Sequence, residues 1–172
     1  GNCENLINAP KLPATTLAIG CYCDMFNGCT NLTKAPELPA TTLMESCYKG
    51  MFKGCKNLTK APELPATTLA KKCYGGMLEG MFLNCTNLTK APELPATTLA
   101  DECYYDMFYN CKSLISVPEL PATTLADGCY QEMFYGCTNI KLSTTQTEEY
   151  DTAYRIPKSG TGTTATNALK GM

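Results

Sequence analysis

"NLTKAPELPATTLA" occupies residues 57–70 and recurs letter for letter at 87–100, while residues 31–43 repeat it up to the point where Met44 replaces the final Ala. "LPATT" begins at Leu12, Leu38, Leu64, Leu94 and Leu120, so the steps are 26, 26, 30 and 26 residues: a period of 26 with one four-residue insertion. Self-similarity at this period, with spaced leucines, marks a solenoid whose units supply a short strand and a helical segment. One such unit cannot fold alone, because the backbone entropy lost in ordering it exceeds what its few apolar side chains return on burial; stacking supplies the missing burial.

The local elements can be read from one unit. In "TTLMESCYKGMFKGC" (residues 41–55), Thr42 stands as an N-cap with Glu45 three residues on, the capping-box spacing, and Asp101 and Asp127 hold the same slot. Leu43, Cys47 and Met51 then recur every four positions with Phe52 beside them, and the next unit supplies Leu69, Cys73, Met81 and Phe82, which predicts a helix with one buried stripe. Gly28, Gly54, Asn84, Asn110 and Gly136 each precede a Cys and tolerate the left-handed conformation that ends a helix. The following text is too short for a second helix. Pro36, Pro62, Pro92 and Pro118 remove ladder donors, which predicts a strand of only ~4 residues ending near Ala35 and its equivalents.

These readings predict an α/β solenoid over residues 1–142: about five units stacked in an arc, short parallel strands on the concave side and short helices on the convex side. The arc follows from unequal spacing, ~4.8 Å between strands and ~8–10 Å between helices. The insertion, in "CYGGMLEGMF", is close to one helical turn and either lengthens its helix or bulges outward at Gly75 and Gly76, without disrupting the stack. Residues 143–172 break the pattern with Thr-rich text. "IKLST" and "AYRIP" read as strands of a terminal cap, and "TNALKGM" resembles the start of a further unit.

"LPATTLADGCYQEMFYGCTNI" (residues 120–140) and its sister units resemble the BspA-like leucine-rich repeats of bacterial surface proteins. The resemblance covers about residues 3–142 and rests on the proline, Phe and second-Cys positions; it departs in placing Cys21, Cys47, Cys73, Cys103 and Cys129 where an aliphatic residue is usual. It implies a non-catalytic cell-surface adhesion or protein-binding module, located extracellularly, whose partner is a host or other cell-surface protein. A spacer that displays other domains, and a carbohydrate-binding surface, are the alternatives.

Composition limits the other functions. Formal charge is −2, from 14 basic and 16 acidic residues spread along the chain, so there is no electrostatic footprint for nucleic acid. No apolar run approaches the ~18 residues of a membrane span, and the first residues lack the pattern of a signal peptide; because they fall inside a repeat, the chain reads as a segment of a longer protein. There is no His and no Trp, and "SGTGTT" at 159–164 lacks the context of a phosphate loop, so neither catalytic residues nor a cofactor are expected.

The twelve cysteines form two columns, Cys3, Cys29, Cys55, Cys85, Cys111 and Cys137 after the stop signal and Cys21, Cys47, Cys73, Cys103 and Cys129 on the helix, with Cys23 outside both. Helix spacing would hold the second column beyond disulfide reach, so buried thiols serving as small hydrophobes are expected, with Cys23 as the exposed one. A disulfide framework and a zinc site at "CYC" are the competing readings. Two repeated columns are candidate surfaces. The first is a binding face of Thr33, Thr59 and Thr89, Lys34, Lys60 and Lys90, and Glu37, Glu63, Glu93 and Glu119, broken at its ends by Asn8, Lys11 and Ser116. The second is an aromatic column of Tyr22, Tyr48, Tyr74, Tyr104 and Tyr130. The sequons at Asn31, Asn57, Asn84 and Asn87 fall inside repeat text and carry no weight on their own.

Overall fold

The computed structural model describes residues 3–141 and Gly171. Equivalent residues of successive units lie one above another in parallel register, joined by bridges such as Asn8 to Lys34, Thr16 to Thr42, Lys60 to Lys90, Thr68 to Thr98 and Ser116 to Lys141. The molecule is therefore a layered solenoid with the 26-residue period of the sequence. Its elements differ from those expected: among the described residues there is no helix, and the strands shrink to these isolated bridges.

What replaces the helix is a chain of overlapping turns. From Gly20 to Gly28, every second backbone N–H (Gly20, Tyr22, Asp24, Phe26, Gly28) donates to a carbonyl of the next layer (Glu45, Cys47, Lys49, Met51, Lys53) at 2.8–2.9 Å. The N–H groups between them (Cys21, Cys23, Met25, Asn27), and that of Cys29, donate to carbonyls three residues back in their own layer at 3.1–3.3 Å. Every N–H from Gly20 to Cys29 is thus satisfied, half of them only by a neighbour. A left-handed residue recurs every fourth position: φ is 59°, 52° and 73° at Gly20, Asp24 and Gly28, and 55°, 63° and 72° at Ser46, Gly50 and Gly54. The five stop-signal residues do adopt positive φ, from 57° to 73°, but each ends a turn series. Thr42 and Glu45 accordingly cap no helix.

The turns set the packing. A period of four with two residues facing inward buries Cys47 with Tyr48 and Met51 with Phe52, leaving Lys49 and Lys53 less covered. Because interlayer hydrogen bonds fix the layers at strand-like separation, identical rings stack. Tyr48, Tyr74, Tyr104 and Tyr130 follow one another at centroid distances of 5.7–5.8 Å, and Phe26, Phe52, Phe82, Phe108 and Phe134 at 5.5–5.6 Å. Offset stacks at this range are favourable beyond the area they bury. The ~8–10 Å helix spacing from which an arc was expected is absent.

All twelve cysteines are free, nine of them buried. Spacing alone does not keep the thiols of neighbouring layers apart, since layers here stand closer than packed helices. The thiols are held differently. Cys55, Cys85, Cys111 and Cys137 each donate S–H to the carbonyl of Phe26, Phe52, Phe82 and Phe108 in the preceding layer at 3.1 Å, and that same carbonyl already accepts the N–H of Cys29, Cys55, Cys85 or Cys111. Burial pushes the Cys55 thiol up to about 12 and those of Cys47, Cys129 and Cys137 up to about 11. Cys3 and Cys21 are the exposed thiols, and Cys23, expected in that role, is half-buried.

The insertion is looped out of the stack. Tyr48 N–H reaches Cys73, but Gly50 N–H reaches Glu79, so the interlayer step jumps from 25 to 29 residues; Met81 N–H closes the loop on the Tyr74 carbonyl at 2.8 Å. Met81 and Phe82 stay buried, and the bridges of the neighbouring layers continue across. Gly75 and Gly80 permit this: a Cβ at Gly75 would collide with the Tyr105 backbone and one at Gly80 with the Asp106 carbonyl. The C-terminal extension lies outside the described residues except for Gly171, whose φ is 71° and whose Cβ position adjoins Glu132.

Two measurements check this packing. Gly80→Ala should lower unfolding free energy by ~3 kcal/mol, the scale of overpacking against backbone, whereas Gly20→Ala, left-handed but with no atom within 4 Å of its Cβ, should lose only ~1 kcal/mol; the reverse order in denaturant titrations would refute the layer contacts. With a thiol reagent under native conditions, Cys3 and Cys21 should react first and Cys23 more slowly, its thiol being raised by burial and by Asp24. The other nine should appear only on unfolding, and rapid reaction of those nine in the native protein would contradict the buried columns.

Candidate functional site

After the turns, each layer runs extended through "LTKAPELPA". Burial alternates strictly here: Pro36, Leu38 and Ala40 point inward, while Glu37 and Pro39 are exposed, with Thr33 and Lys34 exposed just before them. The alternation is broken between Lys34 and Pro36, which leaves Lys34 and Glu37 both exposed although three residues separate them, ~10 Å along an extended chain. The bridge between Lys60 and Lys90 keeps the lysines in register from layer to layer, as do the bonds from Thr33 N–H to the Ile7 carbonyl and from Thr89 N–H and Oγ1 to the Thr59 carbonyl.

Among the described residues, no backbone hydrogen bond joins residues 35–40, 61–66 or 91–96 to one another. The prolines explain part of this, since two of every six residues there have no N–H to give. A groove of about 410 Å³ lies over this unladdered stretch, lined by Thr33 to Pro39 of one layer and by Lys60, Ala61, Pro62, Glu63 and Pro65 of the next. The structure thus brings Thr33, Lys34, Glu37, Lys60 and Glu63 together. Thr59, Thr89, Lys90 and Glu93 are likewise exposed and continue the same columns, as does Glu119 at the far end. Lys34, Lys60, Lys90, Glu37, Glu63 and Glu93 make no ion pair among the described residues. Reading the residue columns missed Pro39, Pro62 and Pro65 as lining groups; the period-two pattern of "APELPA" is the signal that would have found them.

The aromatic column is placed elsewhere. Tyr48, Tyr74, Tyr104 and Tyr130 are at most 2% exposed, and Tyr22 is half-buried at the end of the same stack. They form interior, with burial pushing the phenols of those four up, so they offer no surface to a ligand. The aromatic pair that does face outward is Tyr109 with Tyr135, stacked at 5.0 Å.

A second cavity, about 460 Å³, opens beside the looped-out insertion. Its polar groups are largely satisfied by one another: Lys49 pairs with Glu79 at 2.7 Å, Lys72 with Glu102 at 3.5 Å, and Gln131 donates to the Tyr105 hydroxyl at 3.1 Å. Below it, Lys53 Nζ donates to the Leu78 carbonyl at 2.8 Å and Leu78 N–H to Asp106 Oδ2 at 2.6 Å, fastening the loop to both neighbouring layers. Asp106 is 1% exposed and its other oxygen has no partner among the described residues. Burial, opposed by the Leu78 hydrogen bond and reinforced by Glu132, pushes its carboxyl up to about 6. Among the described residues no cluster of three or more His, Cys, Asp or Glu could hold a metal ion, and no helix is long and apolar enough to cross a membrane.

Residues 76–152 match the BspA type leucine rich repeat region (6 copies). The matched stretch contains residues 87–100, and residues 57–70, outside it, carry the same fourteen letters. No curated protein and no solved structure matches the chain.

Because the folded-state Asp106 value is raised, its neutral form is the one the fold favours. Its stabilising effect is complete below the unfolded value near 3.8 and is lost as pH rises through about 6. Asp106→Asn should therefore remove a fall in stability between roughly pH 4 and 7, worth at most ~3 kcal/mol, while keeping an acceptor for Leu78 N–H; Tyr105, Tyr109 and Glu132 stay unchanged as its facing groups. Parallel pH curves for the two proteins would disprove the assignment.

Proposed function

We propose that this chain, which carries a BspA type leucine-rich repeat region, is a non-catalytic adhesion module of a cell surface that binds a partner protein through its extended face. Leucine-rich repeats of this kind are protein-interaction modules, and a stack of layers presents a broad surface with repeated chemistry in preference to one enclosed pocket. The observation that carries the reading is the groove over "TKAPELP", where unladdered backbone lies between exposed lysines and exposed glutamates that make no ion pair among the described residues. A partner gains backbone hydrogen bonds from the former and orientation from the latter, with rim charges acting mainly on association rate and specificity. The second cavity offers less open valence, four of its charged residues being paired with one another already. The residues assigned to the face are Thr33, Lys34, Glu37, Thr59, Lys60, Glu63, Thr89, Lys90, Glu93 and Glu119. The carbohydrate alternative rested on the tyrosine column and loses that support with the rings inside.

The expected outcome is that Lys34→Glu, Lys60→Glu and Lys90→Glu together abolish attachment to partner-bearing cells or matrix, with unchanged unfolding midpoint, since all three side chains are exposed. Undiminished attachment would leave only the spacer role for this face. A glycan array should give no signal that depends on this face.

A further inference from the structure

Two charged columns of opposite sign run side by side along the proposed binding face. Lys34, Lys60 and Lys90 form one ladder along the stack and Glu37, Glu63 and Glu93 a second, parallel to it. Within a ladder, neighbours are only ~5 Å apart and repel. Between ladders, three extended residues set ~10 Å, and among the described residues no ion pair joins Lys34, Lys60 or Lys90 to Glu37, Glu63 or Glu93. The isolated molecule therefore holds two unneutralised stripes of opposite sign.

We infer that this face pairs with the same face of a second copy of the chain, about a two-fold axis parallel to the stack. That rotation lays the lysine ladder of one copy on the glutamate ladder of the other, layer against layer, so each of the three charged layers contributes two opposite-sign contacts. A two-fold axis across the stack instead sets lysine on lysine. The isologous arrangement is also the commonest form of soluble oligomer. Register is fixed at the end of the ladders. Lys11 occupies the slot that Glu37 holds in the next layer, with Asn8 in the lysine slot. In the aligned pairing Lys11 meets Asn8, whereas sliding one copy by a single layer drives Lys11 onto Lys34. The residues that interrupt the repeat at its beginning thus act as a stop against misregister.

The inference rests on the face being a protein-binding surface and names its occupant. It makes attachment homophilic: copies displayed on two surfaces, or side by side on one, hold each other through this face. Contacts of exposed charges are weak singly and are screened within ~8 Å at physiological salt, so the association is expected to be salt-sensitive.

Sedimentation velocity at high protein concentration and low salt should show a dimer that dissociates as salt rises. Two variants with the same formal net charge of −2 then separate specific pairing from general charge. Lys34→Glu with Glu37→Lys exchanges the ladders within one layer, keeps every facing pair opposite in sign, and should dimerise. Lys34→Glu with Glu93→Lys sets the introduced carboxylate against Glu37 and the introduced ammonium against Lys90, and should be monomeric. A monomeric parent protein, or equal dimerisation of the two variants, overturns the inference. If the parent is monomeric but still attaches to other surfaces through the lysines, this inference fails while the protein-binding role stands.

Discussion

The structure depends on one arrangement: along the turn segment, alternate N–H groups of each layer are satisfied by carbonyls of the next. A helix would satisfy its own backbone and could be packed at whatever distance its side chains dictate. These turns cannot, because a lone layer would leave half of its donors facing nothing, and an unmet buried donor costs far more than a made bond returns. Layers must therefore stack at strand-like separation on the turn side as well as on the bridged side.

That separation explains the composition. Identical side chains in register must tolerate a near neighbour of their own kind, and flat rings do so by stacking; hence the interior columns of Tyr and Phe. Cys suits the slot after the turns because it is small, apolar, and can give one weak hydrogen bond to a carbonyl that already has a partner. Oxidation at this site would remove a donor from a fully buried position.

The two sides divide the work. The turn side closes its hydrogen bonds between layers and buries its stacked Tyr48–Tyr130 and Phe26–Phe134 columns. The "APELPA" side has prolines in place of ladder donors, and its exposed residues are charged, so the backbone and side-chain valences that a partner could use collect there. The insertion falls on the turn side and adds exposed Met77 and Leu78 without touching that face, because two glycines let the loop pass over the Tyr105 and Asp106 backbone.

The repeat text by itself determined the layered architecture, its register and its core: Leu32, Leu58 and Leu88, with Met51, Phe52, Met81, Phe82, Met107 and Phe108, are buried as their recurrence implies, since equal text at equal intervals can bury its apolar residues only against itself. It also marked Gly28, Gly54 and Asn84 as left-handed. The element between them was predicted as a helix and is not one, because apolar residues every four positions fit a helical stripe and a period-four turn equally well. The Gly-x-x-x-Asp-x-x-x-Gly spacing of residues 20–28 was the one local hint. Only the tertiary structure chose the turns and thereby drew the tyrosines inside, for the hydrogen bonds that stabilise them run between layers and no single unit contains both partners.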